Sequence, residues 1–180
     1  MKHIHIRTVS LATIVLLTVL SRLFPHPPNF APVAALALFG AATFDRKWLG
    51  LVVPLAAMLL SDPFLGFHDG MWVVYGSFTL IWGLGLVLLR KITVGRVATA
   101  SFLASVLFFL TTNFVYWFDN TFYPQTPQGL MASYLAGLAF YNGQSFFLNG
   151  VLGDLTFSTI LFGGYYLLQR QFPVLKLARS

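Results

Sequence analysis

The sequence predicts an all-α membrane protein: a bundle of six transmembrane helices, both termini cytoplasmic, with an interfacial helix before the last span. Three observations carry this. Apolar residues make up 57% of the 180-residue chain, charged residues only 9%, and Glu is absent. A soluble domain has about 25% charged residues. The apolar residues gather in runs of helical length, separated by polar or proline-bearing gaps. Nearly every Lys and Arg falls in alternate gaps, and short loops rich in Lys/Arg stay in the cytoplasm.

The basic gaps are easily named. Lys2 and Arg7 precede the first run, and Arg46 and Lys47 split the second from the third. Arg90, Lys91 and Arg96 split the fourth from the fifth, while Arg170, Lys176 and Arg179 follow the last. Of the basic residues only Arg22 falls in an outer gap, beside His26, His68 and most of the acids. The net charge of +6 is therefore a topology signal, with anionic headgroups as its partner. No basic stripe suggests nucleic acid. Cysteine is absent, which excludes disulfides, thiolate nucleophiles and Cys-based metal sites.

The first run covers about residues 8–24. Its basic start resembles a signal peptide, but Leu20-Ser21-Arg22 is a poor cleavage site and the run is long for one, so it reads as a retained helix. Pro25-His26-Pro27-Pro28-Asn29 ends it, because proline lacks a donor and restricts its neighbour. Runs two and three, at about 30–44 and from 48 to 60 or 67, are short for spans. A re-entrant hairpin would bury Asp45, Arg46 and Lys47, each charge costing about 2.5–3.5 kcal/mol at bilayer depth. Two short spans with a cytoplasmic turn avoid this. Runs four and five cover about 71–89 and 97–118, and the last about 146–168. The stretch 129–141 has apolar residues at helical spacing and suits an interfacial helix. The whole chain, 1–180, reads as a single integral membrane domain.

Three constellations carry candidate chemistry. Run two has small residues at four-residue spacing, Ala31/Ala35 and Ala37/Ala41, a face that either packs within the bundle or docks a partner subunit. The outer gaps hold a polar set: Arg22, His26, Asn29, Asp62, His68, Asp69, Asn113, Tyr116, Asp119, Tyr123, Asn149 and Asp154. Asp154 stands out, about two turns inside an apolar helix, where an ionisable residue faces the interior and pairs. Arg22 and His26 are its expected partners; a structural role capping or bridging helices is the alternative. The histidines and aspartates fall at no metal-ligand spacing, so no metal site and no cofactor is expected. No nucleophile, zinc-hydrolase or nucleotide-binding motif occurs, which argues against an enzyme and leaves any ATP-driven step to another subunit.

The stretch Arg22-Leu-Phe-Pro-His-Pro-Pro-Asn-Phe-Ala-Pro-Val-Ala-Ala-Leu-Ala-Leu-Phe-Gly40, the turn Phe44-Asp-Arg-Lys-Trp-Leu-Gly50 and the exit Leu60-Ser-Asp-Pro-Phe-Leu-Gly-Phe67 resemble the S-components of energy-coupling-factor vitamin transporters. Pro25-His-Pro-Pro-Asn-Phe30, Thr112-Asn-Phe114 and Gly153-Asp154 resemble a small bacterial inner-membrane family placed near them. The solitary cobalamin-transporting S-component-like proteins are similar in size and layout. The resemblance implies a substrate-binding transport subunit that captures a vitamin-like micronutrient, a corrinoid among the candidates, from the outer face of the bacterial inner membrane. It also implies docking of an energising transmembrane subunit and its ATPases through a small-residue helix face. In that family this signature lies on the first helix, whereas here it lies on run two. The cobalamin-type relatives are associated with a cysteine ligand, absent here; His68 or His26 would have to ligate cobalt instead. Two other readings stand beside transport: a scaffolding membrane subunit without a ligand, and a membrane enzyme using the outer Asp/His set.

Overall fold

The computed structural model describes residues 2–66, 70–119, 122–141 and 143–175. Its long helices are α1 (Lys2–Leu20), α3 (Lys47–Leu65), α4 (Met71–Leu88), α5 (Val94–Asp119) and the pair α7 (Phe146–Ser158) and α8 (Gly164–Gln171), joined through a π-helical turn at Thr159–Gly163. Two short helices, α2 (Val33–Thr43) and α6 (Pro127–Leu138), complete the set. Five stretches are long and apolar enough to cross a membrane: Ile6–Leu23, Lys47–Leu65, Met71–Leu88, Val94–Asp119 and Phe146–Gln171. The chain is a multi-pass, all-α membrane protein. The described residues add two 3-10 turns, Ser21–Leu23 and Pro173–Leu175, and a hairpin of two-residue strands, β1 (Phe140–Tyr141) with β2 (Gln144–Ser145).

Helix α2 is the centre. It has no polar face, and a helix that is apolar all round must be enclosed. Every residue from Ala34 to Thr43 is buried, against α1, α3, α4, α5 and α7. With 11 residues it rises only about 16 Å, roughly half a hydrocarbon core. The expected span over 30–44 is thus shorter, and it meets protein rather than lipid. The partner-docking assignment is also corrected. Ala35, Ala37 and Ala41 are buried inside the bundle and Ala31 is half-buried, so this face is already occupied by neighbouring helices.

Glycine sets the closeness of that packing. A Cβ on Gly40 would lie 2.0 Å from the Gly50 carbonyl oxygen, and one on Gly50 would lie 2.1 Å from that of Gly40. The α2 and α3 backbones therefore touch at a point where neither residue can carry a side chain. On the other side, a Cβ on Gly85 of α4 would come 2.8 Å from the Ala41 methyl. Small-residue contacts of this kind drive helix association in lipid.

Chain direction places two ends. One carries Asp45, Arg46 and Lys47 after α2, Arg90 and Lys91 after α4, and Arg170 in α8; this is the basic end. Arg7, expected ahead of the first helix, lies within α1 and is only 3% exposed. It pairs with Asp45, donates to the Thr43 carbonyl, and through Nε reaches the Tyr165 hydroxyl (3.2 Å) and the Leu175 carbonyl (3.1 Å). One guanidinium so joins α1, the end of α2, α8 and the segment after it.

At the other, loop end, residues 25–29 are exposed and residues 30–32 enter the bundle. Gly153, two turns into α7, packs so closely on this loop that a Cβ there would lie 3.1 Å from Phe30 Cα. Irregular backbone at such depth survives only when enclosed by protein or lining a cavity. The loop is held by Asn149 Nδ2 donating to Pro28 O (3.0 Å) and Asn29 Nδ2 donating to Phe146 O (3.4 Å). Asn29 adopts φ 62°, a conformation Asn tolerates better than most residues.

Gly40→Ala and Gly50→Ala are each expected to destabilise the protein by about 1–3 kcal/mol or more, because the atom met is backbone and cannot swing aside. Gly83→Ala, where a Cβ meets nothing within 4 Å, is the matched control. Thermal unfolding of the detergent-purified variants measures both.

Candidate functional site

Above the N-terminus of α2 the bundle is open. A cavity of about 610 Å³ runs from the loop end to the level of Ala34, Ser105 and Asp154. Its rim holds Asn29, Tyr116 and Asp119, all exposed. Its walls are Val73 and Val74 of α4, Phe108, Phe109 and Thr112 of α5, and Phe147 of α7. Phe109 meets Phe147 edge-on at 5.0 Å and Tyr134 at 5.8 Å.

The inner end is polar. Asp154 is 6% exposed, and its Oδ2 lies 2.6 Å from the Ser105 hydroxyl. One turn further in, Ser101 donates to Ser158 at 2.7 Å. Ser101 and Ser105 are four apart on α5, and Asp154 and Ser158 are four apart on α7, so each pair shares a helix face and the two faces meet. A membrane helix keeps such residues only where they face the bundle interior or a water-filled space. Asp154 does both.

Helix α6 lies across the end of α5. Thr126 caps it, accepting from Gly129 N at 3.2 Å. Ser133 donates to the Asn113 carbonyl (3.1 Å) and Tyr134 to that of Leu110 (3.2 Å). Burial raises the Tyr134 pKa above that of a free tyrosine, so the hydroxyl stays a donor. Gly137 makes the approach possible, since a Cβ there would stand 2.6 Å from Asn113 Oδ1. The helix expected over 129–141 thus covers Pro127–Leu138, and its Gly137 lines the cavity.

Of the outer polar set, Asn29, Asn113, Tyr116, Asp119 and Asp154 line this one cavity. Tyr123 packs on Tyr116 at 6.2 Å. Asn149 holds the loop rather than facing the cavity. Arg22 and Asp62 belong elsewhere: Arg22 Nη1 lies 3.1 Å from Asp62 Oδ1 and 2.9 Å from Ser61 Oγ, and Tyr75 donates to Asp62. This corrects the expected Arg22–Asp154 pair. The pair ties α1, α3 and α4 beside a small pocket of about 80 Å³. His26 is exposed and contacts its own loop, at Pro27 O (3.0 Å), so it does not partner Asp154 either. His68 and Asp69 lie outside the described residues. Among the described residues no three His, Cys, Asp or Glu side chains come together as a metal site.

Sequence reasoning missed Ser105 and the wall of phenylalanines. The available signal was the paired i, i+4 spacing of small polar residues in two apolar helices.

These features define a class: a multi-pass α-helical membrane protein with a half-length central helix and, above it, a cavity open at one end with a carboxylate at the other. The chain belongs to the family of unknown function DUF6580, whose model matches residues 2–175. No curated protein and no solved structure matches it.

The Arg22–Asp62 pair is largely buried, with side chains 14% and 6% exposed. Removing one partner of a buried pair costs about 3–5 kcal/mol, while an apolar replacement of both is far milder. Asp62→Asn is therefore expected to lower the unfolding temperature markedly, and Arg22→Met with Asp62→Leu to recover much of the loss. Thermal unfolding of the single and double variants checks this.

Proposed function

We propose that this protein is a substrate-binding membrane transport subunit of the S-component kind, capturing a vitamin-like micronutrient from the outer face of a bacterial cytoplasmic membrane. The observation that carries the reading is the cavity: about 610 Å³, aromatic-walled, open at the loop end, with a buried carboxylate at its inner end. Small-molecule sites are concave, largely apolar, about 300–1,000 Å³, and carry a few placed polar groups. The basic end takes the cytoplasmic side under the positive-inside rule, which turns the cavity outward. α2 then counts as a sixth, protein-enclosed pass.

Capture needs no covalent step. Its volume suits a compact ring-bearing ligand better than a corrinoid, and His26 is not placed to ligate one. An energising subunit, if one docks, meets a lipid-facing surface of the outer helices, because the small face of α2 is occupied. A scaffolding role without a ligand is the competing reading.

Native mass spectrometry of the gently purified protein is expected to find a retained small molecule. Ala34→Phe, which fills the inner cavity, is expected to abolish that retention while leaving the protein folded. A protein that retains nothing, shows no thermal shift with a broad micronutrient panel and co-purifies with envelope-synthesis partners would be a scaffold.

A further inference from the structure

The charges around the cavity narrow its ligand. Among the described lining residues the formal charges are Asp119 at the rim and Asp154 at the inner end, both negative. The cations of the interior are engaged elsewhere. Arg7 pairs with Asp45 at the basic end, Arg22 with Asp62 beside the smaller pocket, and Lys47 donates to the Ala41 carbonyl at 3.0 Å. Asp154 is more than nine-tenths buried. Its Oδ2 takes the Ser105 hydroxyl, and its Oδ1 accepts nothing from the described residues. A carboxylate so placed has lost most of its water and has not gained a cation in exchange.

From this we infer that the cavity binds an organic cation: a flat, apolar ring system bearing a protonated or quaternised nitrogen that sits against Asp154. The inference rests on the capture reading above and gives it a substrate class. The ring fits the aromatic walls. Phe108, Phe109, Phe147 and Tyr116 offer ring faces that attract a desolvated cation as well as apolar surface. Asn113 adds an amide at mid-height, its Nδ2 engaged with Phe109 O at 2.9 Å and its carbonyl oxygen under Gly137. The N-terminus of α2 also opens here, and its partial positive charge of roughly one half favours anions. What packs beside Gly153, next to Asp154, is the loop ahead of that helix, at Phe30 and Ala31, and the formal charges on the cavity lining are the two aspartates. An anionic ligand would meet that negative charge with no cation among the described lining residues to receive it.

Three indole probes of matched shape test this on the full-length protein in nanodiscs at pH 7: tryptamine (cation), tryptophol (neutral) and indole-3-propionate (anion). Calorimetric titration and thermal shift should rank tryptamine at least about tenfold above tryptophol, as expected when a buried charge gains its partner, with indole-3-propionate last. Asp154→Asn should remove the preference for tryptamine over tryptophol, since the ion pair is lost. Should Asp154→Asn fail to fold, Ser105→Ala, which keeps the carboxylate and removes its hydroxyl neighbour, must retain the preference. Indole-3-propionate binding as tightly as tryptamine, or a preference unchanged in a folded Asp154→Asn, overturns the cation assignment and leaves capture standing. If no probe binds but native mass spectrometry finds a retained ligand, its charge decides: a cation supports the assignment, an anion or neutral molecule overturns it. No probe bound and no ligand retained overturns both readings.

Discussion

The backbone contact between Gly40 and Gly50 is the constraint on which the rest depends. It lets α3 close on α2 without side chains between them, and Gly85 with Ala41 does nearly the same for α4. Only so can α2 be surrounded on all sides. Enclosure in turn explains its length, because a helix that never meets lipid need not match the bilayer. A central helix of about 16 Å fills half the bundle axis and leaves the other half open. The cavity begins where α2 ends, with Ala31, Val33 and Ala34 on its surface.

Polar contacts divide into those that hold the bundle and those that face the cavity. Of the two ion pairs of the described residues, Arg7–Asp45 starts from α1 and Arg22–Asp62 from the 3-10 turn just after it. They strap the first helix to α2, α3, α4 and α8 without entering the cavity. The hydroxyls of α5 and α7 do the opposite. Ser101, Ser105 and Ser158 form a neutral ladder that satisfies one another and one oxygen of Asp154. The division is chemical: the paired charges join helices, while Asp154, the buried carboxylate set against a neutral hydroxyl, faces the cavity.

Much of the fold was legible because membrane helices obey rules of length and hydropathy that act locally. The apolar runs and the proline break at 25–29 place α3, α4, α5 and the last long helix within a few residues, while α1 starts earlier than expected, at Lys2. What escaped is tertiary. The alanine spacing of run two says that something packs closely there, and only the surrounding helices decide that it is this bundle. Asp154 announced itself as an ionisable residue in an apolar helix. Its partner did not, because Ser105 is a neutral hydroxyl 49 residues away. Arg22 was assigned to Asp154 by counting charges at one end, yet pairing follows which helices are neighbours, and α1 packs on α3. Arg7 looked like a membrane-surface anchor, since sequence shows charge and not burial.

The Arg7 junction also has a direction in time. Arg7 precedes Tyr165 and Leu175 in the chain by more than 150 residues, and the ribosome makes them in that order. Thr43 and Asp45 become available to the guanidinium after the first hairpin, and the α8 hydroxyl and the carbonyl beyond it only after the final helix is in place. Closure of the bundle around α2 is thus registered at a single residue, which collects its remaining acceptors only from a chain translated to Leu175.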